Sequence, residues 1–183
     1  MSSYLNSARK QFEYYKSLGD KTFQQLSEEQ IFCHPSEESN SIAIIIKHLV
    51  GNMLSRWTNF LTEDGEKEWR NRDKEFINSF KTKEDLITYW ESGWECLFNA
   101  INPLKTEDSE RIIYIRNEGH TVTEGINRQL CHYAYHVGQI VFLGKILLDS
   151  NWKSLSISKG QSKNYNKNKF SKEKSRKHFT EDL

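Results

Sequence analysis

Apolar residues recur at intervals of three or four along four long stretches of the chain, the spacing that places side chains on one face of a helix. We predict helices over 2–26, 41–61, 82–102 and 121–149. The two prolines, Pro35 and Pro103, fall between these stretches, and no run of short alternating strands accompanies them. The pattern therefore predicts an all-α fold.

The start of the second predicted helix, IAIII at 42–46, has the β-branched composition of a buried strand. The helical spacing nevertheless continues to Phe60. About five turns of helical period outweigh a short segment of strand propensity, so we predict a helix here.

Three connections separate the predicted helices. The first, at 26–40, is rich in Ser, Glu and Asn and is predicted to be a loop that ends at a helix cap. The second, at 62–76, is densely charged, with Trp69 as its expected anchor. The third, at 111–120, is expected to be extended before a cap at Thr121 or Thr123.

Two histidines, His132 and His136, lie one turn apart in the fourth predicted helix, and Gln129 shares their face. Residues four apart have Cβ atoms about 5 to 6 Å apart, so both imidazoles can reach one metal ion. Metalloproteases use this spacing with a glutamate after the first histidine. This chain has Tyr133 there, which excludes a protease of that type.

His48 lies on the flank of the apolar stripe of the second predicted helix, one turn before Asn52. A lone histidine in such a position is more often a packing residue than a ligand. The pair in the fourth helix makes His48 a stronger candidate for metal binding, because a metal site with two histidines needs a third ligand. Whether the three histidines meet, or are plain core residues, depends on the fold.

The remaining histidines are interpreted as surface or structural residues: His34, His120 and His178. Three widely spaced cysteines, an odd number, are typical of a reducing compartment and not of a disulfide framework. Among them, Cys131 is predicted to be a small buried residue. The amino terminus lacks the apolar segment of a signal peptide, and no stretch has the roughly 18 apolar residues of a membrane span. We expect a cytoplasmic protein without membrane association.

The net charge of +1 is unevenly distributed. Residues 153–183 contain nine basic and three acidic residues, which leaves 17 basic and 22 acidic residues, a net charge of −5, before them. No specific nucleic-acid partner is expected of such a body. Residues 159–183 are rich in Lys, Ser and Asn, so we expect one domain at 1–158 and a basic, disordered tail.

Three segments together resemble the DinB-like superfamily, and within it a subgroup of uncharacterised bacterial proteins of this length. They read SIAIIIKHLVGNMLSRW, WRNRD and GHTVTEGINRQLCHYAYHVGQIVFLGK. The resemblance covers the chain to about residue 158 and implies a four-helix bundle with a long loop between helices two and three and a C-terminal tail. In that superfamily one histidine of the second helix and a pair on the last helix bind a metal ion, positions that match His48, His132 and His136.

The resemblance further implies a nickel or zinc ion, frequent homodimers, and thiol-dependent transfer or isomerisation with mycothiol or bacillithiol. The apolar residues of the first and fourth helices also favour a symmetric homodimer. Three imidazoles would leave an open coordination position, as in catalytic sites. A thiol bound there would ionise, whereas a bound water would hydrolyse a substrate.

Hydrolysis needs a general base, and no acidic residue lies on the His132 face within one turn. This favours a metal-dependent transferase that joins a small thiol to an electrophile, with Asn52 and Gln129 as candidate substrate contacts. A metal-dependent hydrolase and a metal-holding bundle with a sensing or assembly role are the alternatives.

Overall fold

The computed structural model describes residues 3–182, and these are mostly helical, as the apolar pattern predicts. Six helices and one two-stranded sheet occur within that range. The helices are α1 (Ser3–Phe23), α2 (Glu28–Phe32), α3 (Ile42–Trp57), α4 (Lys83–Ile101), α5 (Val122–Leu148) and α6 (Ser162–Phe170). The strands are β1 (Ile112–Ile115) and β2 (Glu118–Thr121).

The four long helices, α1, α3, α4 and α5, share one hydrophobic core. Helix α3 packs against α4 and α5, and α1 packs against α5 and α4, so each helix has two long neighbours. The predicted apolar stripes face this core. In α4 the stripe is completely enclosed, with Leu86, Trp90, Trp94 and Leu97 all at 0% exposure. Burial of these large side chains is the main force that holds the helices together.

Side-chain caps begin the three long helices after α1, and each cap is the first residue of the range predicted for that helix. Ser41 Oγ accepts a hydrogen bond from the backbone N–H of Ile44 at the start of α3, at 3.3 Å. Thr82 starts α4 in the same way. Of the two candidates for α5, Thr121 is the cap, and it forms a capping box with Glu124.

Two connections contain short elements of regular structure. Helix α2 lies inside the segment predicted to be a loop, because Ser27 and Gln30 form a capping box that starts a single turn. The segment at 111–120 is extended, as expected, and it folds on itself as an antiparallel pair in which Ile113 faces His120. The hairpin turn uses Arg116 and Asn117 with positive φ of 57° and 62°.

The charged connection between α3 and α4 packs along α3 through a short 3-10 turn at Asp73–Phe76. Trp69 is 60% exposed, so the prediction that it anchors this segment is wrong. The buried residues of the connection include two charged ones: Lys67 and Glu75 are 8% and 6% exposed. Charged groups enter a protein interior only with partners. Lys67 pairs with Glu63 of the same connection, and Glu75 pairs with His48 of α3.

The C-terminal segment contains α6, which buries none of its residues. Beyond it, His178 Nε2 lies 2.9 Å from Ser7 Oγ of α1, and Lys10 pairs with Glu181. The domain boundary at residue 158 and the disorder of the tail remain predictions. Among residues 3–182, no helix combines the length and the apolar character that a membrane crossing demands.

Gly19 of α1 gives a test of this packing. A Cβ added there would lie 2.6 Å from Cζ2 of Trp90, whose indole N–H donates to Asp20 Oδ1 at 2.8 Å. We expect Gly19→Ala to lower the free energy of unfolding by about 1 kcal/mol or more in urea titrations, because overpacking exceeds the gain in helix propensity. In a Trp90→Phe background, which removes the colliding ring, Gly19→Ala should cost nothing. An equal cost in both backgrounds would contradict this explanation.

Candidate metal centre

The fold brings together three histidines from two helices. His48 comes from α3, and His132 and His136 come from α5. One ring nitrogen of each can be chosen so that the three atoms lie within 4.8 Å of one another, a cluster that can hold a metal ion. The ring centroids of His132 and His136 are 4.7 Å apart, and that of His48 lies 5.6 and 5.0 Å from them.

The cluster lies at the margin of the core. His48 is 7% exposed, while His132 and His136 are half-buried. Burial, followed by repulsion from His136 and His48, lowers the pKa of His132 to about 3. Burial also lowers the pKa of His136, although its hydrogen bond to Gln139 opposes the change. Both rings are therefore neutral at pH 7, the form in which imidazole binds metals.

Hydrogen bonds occupy one nitrogen on each of two rings. His48 Nδ1 lies 2.9 Å from Glu75 Oε2, and His136 Nδ1 lies 2.7 Å from Gln139 Oε1. The Nε2 atoms of both rings thus remain available to bind a metal ion. Three imidazole nitrogens fit a divalent transition-metal ion such as zinc or nickel, and they suit magnesium or calcium poorly.

Glu75 is the member of this site that the sequence interpretation missed. Its side chain comes from the charged connection and not from a predicted helix, so no periodic signal connects it with His48. Arg70 donates to it twice, from Nε to Oε1 at 2.8 Å and from Nη2 to Oε2 at 3.0 Å. Burial alone would raise the pKa of Glu75, but the hydrogen bonds from His48 and Arg70 outweigh burial and lower it. Glu75 is therefore a carboxylate.

The predicted substrate contacts, Asn52 and Gln129, are both buried, at 5% and 3% exposure. The side-chain oxygen of Asn52, Oδ1, accepts a hydrogen bond from the hydroxyl of Tyr133 at 3.3 Å. Gln129 lines a small cavity with Arg56 and Ile113, and its Oε1 has no partner in the part of the chain that the structure describes. Their role as substrate contacts remains a prediction.

The other candidates for metal binding lie outside the cluster. Cys131 is exposed, so the prediction that it is buried is wrong: one position before His132, it falls on the outer face of α5. His34 contacts the carbonyl of Ser39 in an exposed loop. His120 lies in β2, with Nε2 at 3.4 Å from Arg128 Nη1.

The fold and the histidine cluster define a mainly helical protein with a potential transition-metal centre. The chain belongs to the family DUF1572, described as proteins of unknown function, whose model matches residues 1–161. No curated protein matches the chain. The matched region contains all four long helices and the three histidines, and α6 begins directly after it.

We expect this cluster to bind one zinc or nickel ion per chain. Metal analysis of untagged protein should find one equivalent in the wild type and none in His132→Ala or His48→Ala, because two imidazoles bind far more weakly than three. Zinc at 100 times its Kd should raise the free energy of unfolding by about 2.7 kcal/mol. His34→Ala, which removes a histidine outside the cluster, should behave as wild type. Equal metal content in all four proteins would place the metal elsewhere.

Proposed function

We propose that this protein is a DinB-like four-helix bundle that holds one nickel or zinc ion on His48, His132 and His136 and transfers a low-molecular-weight thiol to an electrophile. The observation that carries the proposal is the convergence of these three nitrogens within 4.8 Å. The reciprocal packing of α1, α3, α4 and α5 supports the bundle. The sequence resemblance described above supports the superfamily.

Three imidazoles would hold the ion and leave it able to take a further ligand, and the ion would lower the pKa of a thiol or water bound to it. In the proposed reaction the thiol loses its proton to solvent, its sulfur bonds to the electrophilic carbon, and the leaving group departs from that carbon with its electron pair. The protein supplies no proton acceptor in this scheme.

The state of Glu75 supports thiol transfer over hydrolysis. Glu75 is a carboxylate close to the cluster, but Arg70 occupies both of its oxygens and His48 shares one of them. A carboxylate with a lowered pKa and both oxygens engaged is a poor general base. A metal-bound thiol needs no such base.

Gln129 supports a polar contact with the substrate. Its Oε1 is a buried acceptor without a partner among the described residues, and such an atom is costly unless a donor reaches it. We propose that Gln129 and Asn52 hold a donor group of the electrophile. Free cysteines, two of them exposed, support the cytoplasmic location in which small thiols are abundant.

Cobalt gives a direct test of thiol binding. Cobalt-loaded protein titrated with bacillithiol, glutathione or cysteine should develop a sulfur-to-cobalt charge-transfer band, and serine, the oxygen analogue of cysteine, should produce none. His132→Ala should also lack the band. Absence of the band with every thiol would exclude the thiol mechanism and leave hydrolysis or a non-catalytic metal role.

We also propose a symmetric homodimer formed through the outer face of α5. Tyr135, Phe142 and Ile146 lie on one stripe of this helix and are 62%, 63% and 53% exposed. Gly138, on the same stripe, has no atom within 4 Å of an added Cβ, so a second helix can approach closely there. We expected apolar residues in excess of the core on both the first and the fourth predicted helix. Among the described residues, α1 exposes no large apolar side chain, so this excess lies on α5.

Light scattering at tens of micromolar should give twice the chain mass for the wild type. Phe142→Arg should give the monomer mass, because it places a charge in the middle of the buried stripe. Phe170→Arg makes the same change at an 84% exposed phenylalanine of α6 and should stay dimeric. A monomeric wild type would count against the dimer.

A further inference from the structure

The imidazole of His48 forms a hydrogen bond with the buried carboxylate of Glu75. Its Nδ1 lies 2.9 Å from Glu75 Oε2, and the side chains of His48 and Glu75 are 9% and 7% exposed. A carboxylate can only accept a hydrogen bond, so Nδ1 must carry the proton. A neutral imidazole has one N–H, which leaves Nε2 with a free lone pair for a metal.

We propose that Glu75 is a positioning residue for the metal centre: held by Arg70, it fixes the Nδ1–H tautomer and the orientation of His48, and so sets the affinity for the metal ion. This inference rests on the proposed metal site. It makes the connection between α3 and α4 part of that site and not a mere linker.

Glu75 is itself fixed from several sides. Arg70, whose side chain is 2% exposed, donates to both carboxylate oxygens. Phe76, the next residue, stacks on the His48 ring with centroids 5.2 Å apart and an interplanar angle of 25°. The guanidinium of Arg72 lies 5.1 Å from the centroid of Phe76. Arg70 thus holds the carboxylate directly, and the ring contacts of Phe76 hold the turn that carries it.

Gly51, one turn after His48, is the place where α3 makes room for that carboxylate. A Cβ on Gly51 would collide with Glu75 Oε1 and would lie 2.7 Å from its Cδ. Any side chain at this position would displace Glu75 from His48. Glycine is thus required here because the side chain of Glu75 lies close to the backbone of α3. It is not required by its backbone conformation, since Gly51 lies inside a regular helix.

The other rings of the cluster have weaker supports. His136 Nδ1 meets the neutral amide oxygen of Gln139. A hydrogen bond to a carboxylate is stronger than one to an amide, so His48 is the most firmly oriented ligand. Carboxylates behind metal-binding histidines typically contribute 10- to 100-fold in metal affinity.

The test compares Glu75→Gln with Glu66→Gln as the matched control. Glu66 lies in the same connection and pairs with Arg56 and Arg70, at 3.1 and 3.4 Å, but forms no hydrogen bond or ion pair with a histidine among the described residues. Zinc affinity, measured by competition with a chelator, should fall about 10- to 100-fold in Glu75→Gln and stay within about threefold of wild type in Glu66→Gln. Nitrogen-15 NMR of the metal-free wild type should show His48 as the Nδ1–H tautomer, and Glu75→Gln should lose that preference.

Gly51→Ala provides a second route if Glu75→Gln fails to fold. It changes no polar group, and it should weaken zinc binding about as much as Glu75→Gln, with no further loss in the double variant. Folded variants with wild-type affinity, or a wild-type His48 protonated on Nε2, would overturn the proposal. A wild type that binds no zinc would instead refute the metal site, and the tautomer of His48 would still show whether Glu75 orients the ring.

Discussion

The structure depends on the burial of α3 on nearly all sides. Among its residues Ile42–Trp57, only Lys47 and Leu54 are not buried. A helix enclosed in this way cannot present its polar side chains to water, so each of them needs a partner inside the protein. This requirement explains both the path of the connection after α3 and the position of the candidate metal centre.

The polar side chains of α3 find their partners mainly in that connection. Ser55 Oγ donates to the carbonyl of Gly65 at 2.7 Å, and Arg56 donates to the same carbonyl and to Glu66. Glu75 meets His48 at the other end. The charged residues of the connection therefore provide hydrogen-bond partners for the buried polar side chains of α3, and the segment covers α3 on that side.

Much of the fold follows from local periodicity and local capping. The stripe of α4, the caps at Ser41, Thr82 and Thr121, and the placement of His132 and His136 on one helical face all depend on residues within a turn or two of one another. The errors have local causes too: α2 is a single capped turn without an apolar period. Trp69 is exposed because its neighbour Arg70 forms ion pairs with Glu66 and Glu75, so that no apolar cluster forms there.

The sequence by itself therefore determined the long helices, the sides of them that face the core, and the pairing of two imidazoles, because backbone geometry alone sets these relations. Only the tertiary structure decided that His48 reaches the pair, that Glu75 forms a hydrogen bond with His48, and that the outer stripe of α5 is left uncovered by the described residues. These relations depend on which helix faces meet and on how a charged segment folds back. Both follow from packing and from the pairing of buried charges across long sequence separations, which no periodicity records.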